Sequence, residues 1–125
     1  VEHDVAVYGS LRKKMGNHPL MSGDMDYEGT IKGTLYSNGG FPILSLDGDT
    51  DVVVEVYRVS EEVLDRLDWL EGYTSPDNHW YNRTRELIQI GEDQYVEAYI
   101  YHQTREHNLT VVESGDWVEF CKNRR

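Results

Sequence analysis

The chain predicts a mixed α+β fold, and three observations predict it. Strand-like alternation opens the chain at 4–8 and recurs at 27–37, 41–46 and 52–59. Helical spacing then appears once in the middle, in Val63, Leu64, Leu67 and Leu70, three to four residues apart as a core-facing helix requires. Strand patterns return at 84–90 and 95–102. Strands, a central helix and strands again is not the alternation of βαβ winding, so mixed α+β is expected. At 125 residues the chain fits one domain, 1–125, long enough for a core without disulfides.

Each element has local support. The first strand, Val5-Ala6-Val7, runs into Tyr8-Gly9. The loop that follows, 9–26, carries Gly16, Asn17, His18, Pro19 and Gly23, and loops that long in compact domains are usually functional. Gly29 and Gly33 inside the strand 27–37 predict bulges or tight corners, and Asn38-Gly39-Gly40 a turn. Asp47-Gly48-Asp49-Thr50-Asp51 has acidic residues at alternate positions. A calcium loop starting there needs glycine at its sixth position and glutamate at its twelfth, where this chain has Val52 and Arg58. A solvated hairpin turn is expected instead. Ser60 suits a helix N-cap, with Glu61 and Glu62 where the dipole favours acids, and Gly72 suits the stop. A turn at 91–93 separates the last two strands. The tail from Gly115 is expected to close with a short helix in which Trp117 is core.

Composition excludes several functions. The net charge of −11 repels phosphate backbones and anionic lipid, so neither nucleic acid nor membrane is an expected partner. No window approaches the apolar length of a membrane span, and the acidic start Val1-Glu2-His3-Asp4 does not read as a signal peptide. A single cysteine, Cys121, allows no internal disulfide and fits a reducing, cytoplasmic setting. The Asn82 and Asn108 glycosylation patterns then read as chance. His18, His79, His102 and His107 form no ligand-spaced set, so no metal is expected.

Two stretches carry chemistry. A strand ending on glycine can turn sharply, and the N–H groups after Gly9 are then free to face an anion as a backbone nest. Arg12-Lys13-Lys14 supplies local positive charge in an acidic chain, with Arg12 a candidate partner for a substrate carboxylate. The plainer reading of that run is a solvated one. Glu71 lies at the helix end, where the macrodipole disfavours its charge. Desolvation by Trp69, Leu70 and Tyr73 would push the same way, toward the range of a general acid/base. The plainer reading of Glu71 is an exposed terminal glutamate.

Tyr8-Gly9-Ser10-Leu11-Arg12 resembles the YGSLR/YGTLR signature of the γ-glutamylcyclotransferase-like (AIG2-like) family. The resemblance continues through Gly33-Thr34-Leu35-Tyr36, Phe41-Pro42, Glu55-Val56-Tyr57, Leu67-Asp68-Trp69-Leu70-Glu71-Gly72-Tyr73 (the family's LDxxEGY) and Tyr81-Asn82-Arg83 (its Y-x-R). It ends in Ala98-Tyr99-Ile100-Tyr101 and Gly115-Asp116-Trp117. It implies a small mixed β-barrel flanked by helices, with a pocket between the signature loop and the helix-end glutamate. Members release 5-oxoproline from γ-glutamyl compounds without metal or organic cofactor. Carried over, Tyr8, Gly9, Ser10 and Leu11 line the glutamyl moiety and Glu71 is catalytic. Arg12 and Tyr81 are further candidate substrate contacts, although Tyr81 and Arg83 read first as braces of the barrel mouth. Tyr101 could reach the pocket or simply pack. Loop N–H groups would hold the α-carboxylate or the oxyanion; the residues alone do not choose. The chain departs from the pattern at Val54, where many relatives have glycine, which bears on substrate range or a strand bend. The expected function is a γ-glutamyl cyclotransferase for a small γ-glutamyl amine or amino acid. The alternative is a non-catalytic or regulatory small-molecule-binding domain of the same fold.

Overall fold

The computed structural model describes residues 2–9, 12, 25–37, 42–70, 73–75, 78–79, 82–103 and 110–123. Strands β1 (Glu2–Val7), β2 (Met25–Ser37) and β3 (Pro42–Ser60) precede helix α1 (Glu61–Leu70). After it come the short β4 (Tyr73–Ser75) and β5 (Asn78–His79), then β6 (Asn82–Gly91), β7 (Gln94–His102), β8 (Thr110–Val111) and helix α2 (Trp117–Asn123). The result is the expected strand-dominated α+β mixture. The main sheet runs β3-β1-β7-β6-β2-β8, and β2 also pairs with β3. β1 lies parallel to β7 and antiparallel to β3. The link from β6 to β2 is the pair Thr30 and Gln89. The neighbouring Gly29 leaves room there for the Gln89 carbonyl, which a Cβ would meet at a prohibitively close distance.

Period-two alternation divides the buried side chains between the two faces of the sheet. Ala6 and Tyr8 pack with Leu35, Leu44, Val52, Val54, Val56, Ile88, Ile100 and Trp117. Val5 and Val7 point the other way, to Tyr57, Val59, Tyr101 and the α1 residues Val63, Leu64 and Leu67. Helix α1 therefore covers one face, as its apolar spacing predicts. The Ser60 hydroxyl accepts the Val63 N–H at 3.3 Å, so the expected N-cap is present. Trp117 is 2% exposed and opens α2, also as expected.

Two expectations need correction. The stretch 47–51 is no hairpin turn: β3 is one strand of 19 residues, and both of its halves pair with the same β2. Register jumps from Gly33–Thr50 to Thr34–Ser45, so four residues of β3 bulge out. Gly48 sits in that bulge at φ 119°, and the Thr34 hydroxyl donates to the Asp47 carbonyl at 2.8 Å. The continuous partner strand, absent from any local window, turns a turn-like motif into a bulge. Trp69 is the second correction. It was expected to help desolvate the end of α1, yet it is 79% exposed. Position 69 falls off the stripe formed by residues 63, 64 and 67, so the ring faces outward. Val54 introduces no break: it is fully buried and pairs with Gly29 in an unshifted stretch of β3.

Candidate active site

The signature begins where β1 ends. Tyr8 is buried, and its hydroxyl donates to the Tyr101 carbonyl at 2.6 Å, fixing the strand end against β7. Gly9 follows, and its carbonyl accepts the Arg12 N–H at 3.0 Å, closing a four-residue turn. A Cβ at Gly9 would lie 2.6 Å from the Pro42 ring, so only glycine lets the chain turn this close to β3. The sharp turn expected from the sequence is thus supported by two anchors. Ser10 and Leu11 lie outside the described residues.

Arg12 itself is not solvated; Lys13 and Lys14 lie outside the described residues. Arg12 is 5% exposed, with Nε donating to Glu55 Oε2 at 2.9 Å and Nη1 to Asp116 Oδ1 at 2.8 Å. The Tyr57 hydroxyl donates to the other Glu55 oxygen at 2.7 Å, and the Glu119 N–H reaches Asp116 Oδ1 at 3.2 Å. Asp116 therefore caps α2 and pairs with Arg12 together. Burial alone would lower the Arg12 pKa, but hydrogen bonds to Glu55 and Asp116 outweigh it and raise the value. Desolvation likewise pushes Asp116 up, and the bonds from Arg12 and the Glu119 N–H pull it lower. The guanidinium thus ties the signature turn to β3 and to the start of α2.

The other stretch singled out by the sequence is the end of α1. Asp68 receives two donors there: the Tyr101 hydroxyl on Oδ1 at 2.6 Å and Arg83 Nη1 on Oδ2 at 2.5 Å. Arg83 and Tyr101 stand directly opposite each other in the β6–β7 ladder, so neighbouring cross-strand side chains grip both oxygens of one carboxylate. Arg83 acts as the brace the sequence suggested. Glu71, the expected catalytic carboxylate, and Tyr81 lie outside the described residues; Glu71 follows Asp68 by three positions in the sequence. Burial pushes the His102 pKa below its ordinary value, against the opposing charge of Glu86. Among the described residues no three His, Cys, Asp or Glu side chains gather to hold a metal, and no helix is long and apolar enough to cross a membrane.

Glu55, Asp68 and Asp116 had no role in the sequence reading. A signal for Glu55 was available. It falls in phase with Tyr57 and Val59 in a β-branched strand, and a charge at an inward position demands a partner. Asp68 and Asp116 stand in motifs quoted above, but nothing local names their partners, which lie on other segments: Arg83 and Tyr101 for Asp68, and Arg12 for Asp116.

A strand-dominated α+β chain with a glycine-turned strand end tied to a helix end defines a class of small protein, and comparison with known proteins places it. Residues 5–119 match the family described as Gamma-glutamyl cyclotransferase, AIG2-like. The chain is 34% identical over 121 residues to the gamma-glutamylcyclotransferase family protein YtfP of Escherichia coli, covering 92% of this chain and 96% of that one. The solution structure of ytfP from Escherichia coli matches with a TM-score of 0.65 at 33% identity, over 94% of this chain and 98% of that one. The crystal structure of an aig2-like protein from Mus musculus matches in fold with a TM-score of 0.75 at 24% identity, over 92% and 88% of the two chains. The chain belongs to the AIG2-like gamma-glutamyl cyclotransferase family.

Proposed function

We propose that the protein is a cofactor-independent γ-glutamyl cyclotransferase that releases 5-oxoproline from a small γ-glutamyl amine or amino acid. The substrate's α-amine attacks its own γ-carbonyl carbon. A C–N bond forms, a tetrahedral oxyanion follows, and the γ-amide C–N bond then breaks. The nucleophile is already tethered, so the protein supplies conformation, proton transfer and charge stabilisation. Glu71 takes a proton from the α-ammonium and returns it to the departing nitrogen. Once the ring C–N bond has formed, the attacking nitrogen sheds its second proton, and the leaving nitrogen, having taken up both, departs as an ammonium ion. N–H groups of the turn 9–12 hold the α-carboxylate or the oxyanion, with Tyr8, Gly9, Ser10 and Leu11 around the glutamyl moiety and Tyr81 a further contact. In this reading the main sheet, whose pairings return from β2 to β3, serves as the small barrel that supports the pocket.

The observation that carries the reading is the shared anchor. The strand end leading into the signature and the helix end leading to Glu71 are both bonded to Tyr101, which favours a common site for the two motifs. Arg12 enters as a brace of the turn, since its Nε and Nη1 already meet carboxylates of the chain. The test is a panel of γ-glutamyl amines and amino acids with 5-oxoproline followed by mass spectrometry. Turnover of at least one compound is expected, and Glu71→Gln should lower the rate by about 10²–10⁴-fold, the usual contribution of a positioned acid/base. No product from any compound, or full activity in Glu71→Gln, would sink the proposal.

A further inference from the structure

We infer that Tyr101 is a positioning residue that fixes the end of α1 relative to the signature turn; the catalytic consequence rests on the function proposed above. Its two polar groups act on different segments. The backbone carbonyl accepts the Tyr8 hydroxyl at 2.6 Å, at the point where β1 gives way to Gly9. The side-chain hydroxyl donates to Asp68 Oδ1 at 2.6 Å, in the last turn of α1. One residue, 2% exposed, thus joins two segments 60 positions apart in the chain, Tyr8 and Asp68.

The joint is stiff for three reasons. Tyr101 lies in the β6–β7 ladder, so its backbone cannot shift without breaking sheet pairing. Arg83, its direct cross-strand neighbour, holds the other Asp68 oxygen, so the carboxylate cannot rotate away. The Tyr101 ring is buried in the apolar cluster that also holds Val5, Val7 and Leu67, where close packing restricts side-chain movement. The bond to Asp68 is charge-assisted and short, the stronger kind of hydrogen bond. A general acid/base a few residues beyond Asp68 would inherit this placement, and a misplacement of about 1 Å can cost about 10²-fold in rate.

Tyr101→Phe keeps the ring and the carbonyl to Tyr8 and removes the link to Asp68. With the substrate found in the panel, kcat should fall by about 10- to 100-fold while KM stays within about threefold, the pattern of a loss confined to the transition state. Asp68→Asn, which weakens the same contact and also the ion pair with Arg83, should cost at least as much. The double variant should be no worse than Asp68→Asn alone, because the Tyr101 hydroxyl acts through Asp68. Amide exchange should speed up over 66–74 in both variants and stay unchanged over 52–59. Unchanged kcat, multiplicative losses in the double variant, or unaltered exchange over 66–74 would overturn the inference. If Tyr101→Phe does not fold, the kinetics and exchange of Asp68→Asn decide alone. Should wild type turn over no γ-glutamyl compound, the proposed reaction falls, while the exchange result still decides whether Tyr101 holds the helix end.

Discussion

Two regions of this protein use the same chemistry to different ends. Beneath the signature turn, Arg12 meets Glu55 at 2.9 Å, with side chains 6% and 4% exposed. At solvent-exposed strand positions, Lys32 meets Asp51 at 2.6 Å and Arg85 meets Glu97 at 2.5 Å, with every side chain at least half exposed. The distances are alike and the environments are not. An exposed pair gains little over its two hydrated ions and contributes about 0–1 kcal/mol. A buried pair adds little more in net, because desolvation offsets its attraction, yet removing one partner leaves a buried charge without its counterion and costs about 3–5 kcal/mol. Burial therefore turns a contact that could be dispensed with into one that the turn depends on.

The largest effect expected from this comparison is at Arg12. Arg12→Ala takes the cation from buried Glu55, leaving it the Tyr57 hydroxyl, and uncouples Asp116, and denaturant unfolding should register a loss of about 3–5 kcal/mol. A loss below about 1 kcal/mol would mean that water reaches Glu55 and the contrast with the surface is false. Asp116→Asn tests the same network through pH. The folded pKa of Asp116 is depressed, so its stabilisation is complete above the ordinary carboxylate value and disappears as pH falls through the lower folded one. Wild type should exceed Asp116→Asn in stability at pH 7, and the gap should narrow below about pH 4. A gap constant from pH 7 to 3 would point to the α2 cap alone. The smallest effect should come from Arg85→Ala, about 1 kcal/mol or less and further reduced in high salt, measured by the same unfolding assay. A larger loss there would implicate the Arg85 stacking on Tyr99 more than its charge.

Much of the fold could be read from local patterns because those patterns were of one kind. The 3.6-residue stripe of Val63, Leu64 and Leu67, the cap at Ser60 and the alternation of β6 and β7 each depend on neighbours within a few positions. The bulge at 46–49 did not yield to the same reading. Its Asp and Gly residues suit a turn, and only the continuous β2 strand alongside makes it an interruption within β3. The site divides similarly. Tyr8 and Gly9 were visible as a strand end that turns, whereas Arg12 was misread as solvated because its carboxylates lie 43 and 104 positions away.

The sequence by itself determined the α+β class, the order of the motifs and the placement of a glycine where the signature turn begins. Spacing, capping and backbone preference are local quantities, and a string of residues records them. Tertiary structure alone decided that Arg12 is an anchor, that Trp69 faces water and that Tyr101 joins strand end to helix end. Those outcomes depend on which distant groups share a buried volume, where an unpaired charge or hydroxyl is costly. Only the folded chain brings such groups within hydrogen-bonding distance.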